Sequence, residues 1–414
     1  MLTKALAGFR YPAEAVALAA LMFFLPLLEA PKNIAWGAYA LIWIANRFRT
    51  RDFGGRWDGW DTLILCWIGS GYVVAAFAGL KGSEWGGAND LLRYGSVLWL
   101  IKRAGYGPAE FRLVIGTLLV SALAGLPHAY WRLYVTQSRE WFEINSVGQV
   151  NHTAIYLAII LGMALSAALA YWRTWTRVAR LLAIFALTAI GASLLVTASR
   201  AAIGMAVVLV LVLTGASYRR FKVAFIAAVS IVLVVGALAW TMKLQVVRKQ
   251  AEGVERQDIL AYRGLIWNNA AAAWERYPLF GLGMDNFSRI TLDRVREWRA
   301  AAGKPFDPAQ HWMREWKGSS HAHSLWYNTL AERGVFGLSA LAAVLIAWLA
   351  SLLRHRPRGQ DDDLKWALWG GALSAWVISV GAGLVNTSLH HEHGILSVTL
   401  LGIWLAWLRT RNGP

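Results

Sequence analysis

Cysteine occurs once in 414 residues, at Cys66, so the chain can form neither an intrachain disulfide nor a thiolate metal cage. Charge is scarce too: Asp, Glu, Lys and Arg make up 16% of the residues, and only 24 of them are acidic. A soluble globular domain or a solvated disordered chain needs more charge than this, so both are excluded. What remains is apolar, with 57% hydrophobic residues and 24 Trp, the composition of a polytopic all-α membrane protein. A net charge of +17 raises nucleic acid as a partner. Because the arginines are scattered between apolar runs, membrane topology and anionic lipid account for them better, and no nucleic acid is expected. The first apolar run, 13–30, carries Glu14 and Glu29 and leads straight into another, so no cleavable leader is expected there.

Twelve apolar runs approach the length of a membrane-spanning helix, near 12–29, 33–46, 61–80, 89–102, 112–129, 151–171, 179–197, 199–216, 222–241, 324–352, 365–388 and 394–409. The second is short and the fourth carries Arg93, so hydropathy alone allows ten or eleven spans. Charge decides between these counts. Basic residues collect at alternate junctions, at Lys4 and Arg10, Arg47 to Arg56, Lys102, Arg103 and Arg112, Arg173, Arg177 and Arg180, Arg219, Arg220 and Lys222, Arg354 to Lys365, and Arg409 and Arg411. The intervening short junctions hold only Lys32, Lys81, Arg132, Arg139 and Arg200. Basic residues favour the cytoplasmic side, so the alternation retains both weak spans and places both termini inside. Residues 1–241 then form nine spans, 242–323 a long outer loop and 324–414 three further spans.

That loop is too patterned for a linker. Ala261 to Trp274 reads as a helix, ended by Pro278 and the pair Gly281 and Gly283. A second amphipathic stretch sets Phe287, Ile290, Val295 and Trp298 on one face and Arg289, Arg294, Arg296 and Arg299 on others, as for a helix lying in the membrane interface. The loop's thirteen Lys and Arg residues, between Lys243 and Lys317, suit a lipid-linked phosphate, and equally suit plain attraction to an anionic leaflet.

Where this loop meets the next apolar run lies Ser319–Ser320–His321–Ala322–His323–Ser324. Imidazole is the side chain best suited to moving a proton near neutral pH. On local spacing alone, Ser319 and Ser320 would cap a helix and the histidines would fill an interface. Arg200, between apolar runs, is costly there and calls for a ligand or an ion partner. Glu332 and Arg333 fall inside a span and read as a buried charge pair. His321 and His323 together with His390, His391 and His393 raise a metal site as the rival reading. His128, His152, His311 and His355 stand without such company. Gln149-x-Asn151–His152 opens a span and reads as a helix cap. Trp131, Tyr134, Trp141 and Phe142 read as interfacial anchors.

Ser199–Arg200 after a span, Arg263…Trp267…Pro278…Gly281–Leu282–Gly283, and His323–Ser324 followed by Gly334 and Gly337 together resemble the O-antigen ligase and polymerase superfamily. The resemblance covers about 190–340 and implies an all-helical glycosyltransferase of the GT-C-like membrane type. It implies undecaprenyl-diphosphate-linked O-antigen as donor and, in the ligase branch, lipid A-core oligosaccharide as acceptor. The implied location is the bacterial inner membrane with a periplasmic active site. It further marks His323 as the catalytic base and Arg200 and Arg263 as ligands of the donor diphosphate. No metal or other cofactor is implied. Ser199, His321 and Ser324 become supporting candidates. A polymerase or protein O-oligosaccharyltransferase of the same superfamily stays open as an alternative, and so does a transporter of lipid-linked glycans, which should show inverted repeats and interrupted helices.

Overall fold

The computed structural model describes residues 9–217, 222–242, 244–255, 260, 262–312, 319–359 and 361–411. Lys4, Arg219, Arg220, Lys243, Ala261 and Lys317, named above, lie outside the described residues. A helix stands at each of the twelve runs, and no strand occurs among the described residues. They are α1 (Pro12–Phe24), α2 (Glu29–Thr50), α3 (Gly59–Ala76), α4 (Glu84–Lys102), α5 (Pro108–Tyr130), α6 (Val150–Tyr171), α7 (Arg177–Val196), α8 (Arg200–Ala216) and α9 (Lys222–Thr241). After α10 (Gln245–Glu255), α11 (Arg263–Arg276) and α12 (Leu292–Ala301) come α13 (Leu325–Arg354), α14 (Asp363–Ala382) and α15 (His391–Arg411).

Among the described residues five of these are long and apolar enough to cross a membrane: α3, α5 with its π-turn extension to Val135, α6, α7 and α13. Others fall short for visible reasons. α1 and α8 have 13 and 17 residues, while α2 and α4 carry Lys32, Arg47, Asp90 and Arg93 along their length. The chain is thus an all-helical membrane protein.

α6 lies at the centre, with α7, α8 and α14 packed on it. Its contact with α14 uses small residues on both sides. A Cβ on Gly162 would lie 2.4 Å from the Ser374 hydroxyl, and one on Gly370 would lie 2.3 Å from that of Ser166. Four-residue spacing of small side chains on both helices lets the backbones close up, which replaces the hydrophobic drive that lipid cannot supply. Buried ion pairs fasten the bundle end nearest the chain's start. Arg47 meets Glu14 at 3.0 Å, Lys102 and Arg103 meet Asp61 at 2.8 and 2.6 Å, and each of these buried charges is compensated by its partner.

The long loop folds into its own small core. Ile266, Ala270 and Ala273 of α11 pack with Leu282, Phe287, Ile290, Val295, Trp298 and Ala322. The four apolar residues of the second stretch do share one side. Phe287 comes from a 3-10 turn, Phe287–Arg289, Ile290 from the extended residue that ends it, and Val295 and Trp298 from α12, rather than all four from one continuous helix. They are buried against α11, with Tyr277 edge-on to Trp298 at 5.8 Å, so the interfacial helix expected from the sequence is not formed.

α13 is broken at Gly334, whose φ of 59° and ψ of −166° leave the helical region. The irregular segment 278–283 fills the break. Val335 and Phe336 donate to the carbonyls of Pro278 and Leu279 at 2.9 and 3.0 Å. Leu282 and Gly283 donate to those of Ala331 and Glu332, both at 2.9 Å. Backbone groups freed by the break are therefore satisfied within the protein, the condition for irregular chain at membrane depth. Glycine is required on both sides: a Cβ at Gly334 would meet the Leu279 oxygen at 2.3 Å, and one at Gly281 would meet the Glu332 carbonyl carbon at 2.4 Å.

Candidate functional site

Most of what the sequence singled out beyond the spans gathers at one end of the bundle, at the starts of α6, α8, α11, α13 and α15, while His355 lies at the other end. The segment before α13 is gripped from two sides. Trp267 of α11 donates its indole N–H to the Ala322 carbonyl at 3.1 Å, and Asn328 of α13 accepts from the Ala322 N–H at 2.9 Å. Asn328 in turn donates to Glu332 at 2.9 Å, whose other oxygen accepts from the Phe287 N–H at 3.1 Å. His323 follows with φ 48°. Ser324 then caps α13, accepting from Tyr327 N–H at 3.4 Å. Ser319 and Ser320 are not the caps; their hydroxyls bond the His321 carbonyl and ring at 2.8 Å each.

Left-handed backbone at non-glycine residues recurs around this segment. Besides His323, it occurs at Ala198, just before Ser199 and Arg200; at Tyr262, just before Arg263; and at Asp285, Leu389 and His391. Such conformations persist only where the surroundings fix them, and they concentrate at working sites.

Arg263 reaches the same place. Its guanidinium donates to the Leu260 carbonyl at 3.0 Å and to Asn386 Oδ1 at 3.4 Å. The Asn386 carbonyl accepts from Leu325 N–H at 3.1 Å, which ties the arginine to the turn that carries His323. Burial pushes the His323 imidazole down to about 4, and the nearby Arg263 cation adds to the shift. Burial and then His323 and His391 push His321 down to about 3. Both rings are therefore neutral at pH 7 and able to accept a proton. Arg200 joins through its neighbour: the Ser199 hydroxyl donates to Asn151 Oδ1 at 2.9 Å, fixing the start of α8 beside that of α6.

The histidines meet in space. His321 lies 4.4 Å from His323, ring centre to ring centre. His152 lies 5.9 Å from His321, 5.3 Å from His391 and 5.1 Å from His393. His152, read from the sequence as standing apart, is the hub of this group; its place beside Gln149 and Asn151 at a span's polar opening was the available signal. Gln149 makes no side-chain cap bond to α6; instead it lines a cavity of about 680 Å³ with His152, His321, His390 and His391. Among the described residues no three His, Cys, Asp or Glu side chains converge closely enough to hold a metal ion. Lys32, counted from the sequence as a loop charge, is buried and bridges Glu29 and Glu392, locking α15's first turn to α2.

Acidic groups complete the cavity wall: Asp90, Asp285 and Glu332. Burial, with Asp90 nearby, raises the Asp285 carboxyl above its ordinary range. Glu332 and Arg333 do not form the expected pair. Adjacent helical positions point apart, so Glu332 serves Asn328 and Phe287 while Arg333 donates to the Ser70 hydroxyl at 2.7 Å. Gly337 leaves room for that arginine, since a Cβ there would touch its side chain at 2.2 Å. His311 packs away from the site, bonded to Asn269 at 2.9 Å, and Phe142 is buried against Tyr130 rather than anchored in an interface.

No curated protein matches the chain. Residues 185–342, which include Arg200, Arg263, the inserted segment 278–283, His323 and both motif glycines, match the family described as O-antigen ligase. Over those residues, which supply part of this site, the chain is similar to the O-antigen ligase family.

Proposed function

We propose that the protein is an O-antigen ligase of the bacterial cytoplasmic membrane. It transfers O-antigen from undecaprenyl diphosphate to a sugar hydroxyl of lipid A-core oligosaccharide on the periplasmic face. In this reading the chain crosses the membrane twelve times, as nine spans over 1–241 and three over 324–414, with 242–323 as the periplasmic loop. The observation that carries it is the neutral His323 imidazole, held in a left-handed conformation close to the Arg263 guanidinium.

His323 takes the proton from the acceptor hydroxyl as its oxygen forms the bond to the anomeric carbon. The bond from that carbon to the diphosphate oxygen breaks on the opposite side, which inverts the configuration. The electron pair leaves with the diphosphate, and Arg200 and Arg263 stabilise the charge that develops there. Both guanidinium groups stay charged throughout and can each grip two oxygens. His321, Ser199 and Ser324 position this machinery. The acceptor enters through the adjoining cavity of about 680 Å³. The histidine-lined cavity lies at one end of the bundle and not near its middle, which favours transfer over transport.

The test is transfer in vitro with purified protein, lipid-linked O-antigen and lipid A-core acceptor, run with and without a chelator. Formation of full-length lipopolysaccharide in both conditions is expected. Lengthening of the glycan on the polyprenyl carrier, with none passed to lipid A-core, would instead identify a polymerase.

A further inference from the structure

The opposite end of the bundle holds a second cavity, of about 850 Å³, that has no part in the chemistry above. Six cationic side chains line it: Arg10, Arg56, Lys102, Arg103, Arg354 and Arg409. We propose that this cavity binds the phosphate headgroup of an anionic phospholipid from the cytoplasmic leaflet.

Most of these cations are compensated within the protein. Arg10 meets Asp52 at 2.9 Å, Lys102 meets Asp58 and Asp61 at 2.7 and 2.8 Å, Arg103 meets Asp61 at 2.6 Å, and Arg409 meets Asp58 at 3.0 Å. Three carboxylates thus serve four of the six cations, and the remainder is localised. Among the described residues no carboxylate lies within 4.0 Å of the guanidinium of Arg56 or Arg354. Both side chains are exposed at the cavity mouth, so the excess positive charge faces whatever enters.

The rim is rigid. Gly54, at φ +77°, packs against the Arg103 carbonyl so closely that a Cβ would lie 2.4 Å from that oxygen. Arg103 donates to the carbonyls of Phe53 and Gly55 at 2.8 and 2.6 Å, and Arg409 donates to that of Arg56. Arg56 is therefore presented on a fixed turn, preorganised for a ligand rather than sampling solvent. Behind the cations the wall turns apolar, with Ala347, Ala350, Leu405, Ala406 and Trp60. A soluble anion has no use for such a wall, whereas a headgroup carries glycerol and the first methylenes of its chains into it. Basic pockets between helix ends on this side of a membrane suit phospholipid phosphates.

The experiment is thermal unfolding of the purified full chain in non-ionic detergent, titrated with phosphatidylglycerol, phosphatidylcholine or inorganic phosphate. Phosphatidylglycerol should raise the melting temperature and the other two should not. In the double variant Arg56→Ala/Arg354→Ala the phosphatidylglycerol needed for half the shift should rise about tenfold or more. The Lys/Lys variant should keep most of the response. Both positions are exposed, and a melting temperature without lipid equal to wild type will show that the variants fold. An unchanged lipid response in the Ala/Ala variant, or equal stabilisation by phosphatidylcholine, would overturn the proposal. Full stabilisation by inorganic phosphate alone would overturn it in favour of a soluble phosphate ligand.

Discussion

The indole N–H of Trp267 donates to the carbonyl oxygen of Ala322 at 3.1 Å, one residue before His323. This bond joins the loop helix to the segment that enters the broken helix α13, and Trp267 also stacks on Tyr327 at 5.0 Å. Trp267→Phe keeps the stacked ring and removes the donor, leaving the Ala322 carbonyl without its tryptophan partner. The expected loss of stability is small, about 1 kcal/mol. The transfer rate should nevertheless fall about tenfold or more, because a misplaced base loses orientation. Wild-type turnover in this variant would remove Trp267 as a positioning residue.

His323→Ala should leave a folded protein whose transfer rate is lower by about a hundredfold to ten-thousandfold, the usual contribution of a general base. His321→Ala should lose less, since that ring touches His323 but is not assigned the proton transfer. Single-turnover transfer measured for both variants, alongside their melting curves, checks the order. The reverse order would move the base to His321.

The pH dependence follows from burial and from Arg263, which together hold His323 at about 4. The base is neutral above that value, so activity of the free enzyme should stay level from pH 8 to about 5 and fall only as pH drops through about 4. Arg263→Gln removes the neighbouring cation, so the acid limb of kcat/KM should move to higher pH. Stability has the same sign. Folded values of about 4 and 3 for His323 and His321 lie below the unfolded value, which is about 6.5. Their neutral forms favour the fold above about pH 6.5, and this contribution is lost as pH falls through the folded values. A melting temperature that rises on acidification from pH 7 to 4 would contradict the assignment.

Arg200 and Arg263 should each matter more in the transition state than in the bound donor complex. Replacing either with Ala should cost about 2–4 kcal/mol of transition-state stabilisation, about a hundredfold or more in rate. Lys keeps the charge but loses the forked geometry, and should fall between. If Arg200→Ala instead melts early while the surviving protein turns over at the normal rate, the arginine is an anchor between α7 and α8 and not a diphosphate ligand.

Two glycine substitutions separate the fold's demands. Gly334→Ala forces a side chain into positive φ and against the Leu279 carbonyl at 2.3 Å, and should unseat the inserted segment, lowering stability by about 2 kcal/mol or more. Gly264→Ala has open space around it in helix α11 and should be neutral or raise stability by up to about 1 kcal/mol. Thermal unfolding of both variants in detergent measures the contrast. Equal melting temperatures would show that the break in α13 tolerates a side chain.

Every helix at an apolar run was legible in the sequence, because length and hydropathy are local properties that lipid reads directly. The left-handed turn before α13 and the insertion of 278–283 were only partly legible. Gly281, Gly283 and Gly334 signalled irregular chain, but not that the two irregular segments satisfy each other's backbone groups. The same limit explains Glu332 and Arg333, whose adjacency suggested a pair although neighbouring helical positions diverge. It also explains His152, more than 160 residues before His321 in the chain and 5.9 Å from it in space. The sequence by itself determined a helical membrane chain and offered Arg200, Arg263 and His323 as candidates for the proposed chemistry. Only the tertiary structure decided that six histidines from three separate segments meet, that His323 stays neutral beside a cation, and that the cationic end of the bundle encloses a cavity. Each of these depends on burial and on distances between residues far apart in the chain, and no local pattern encodes them.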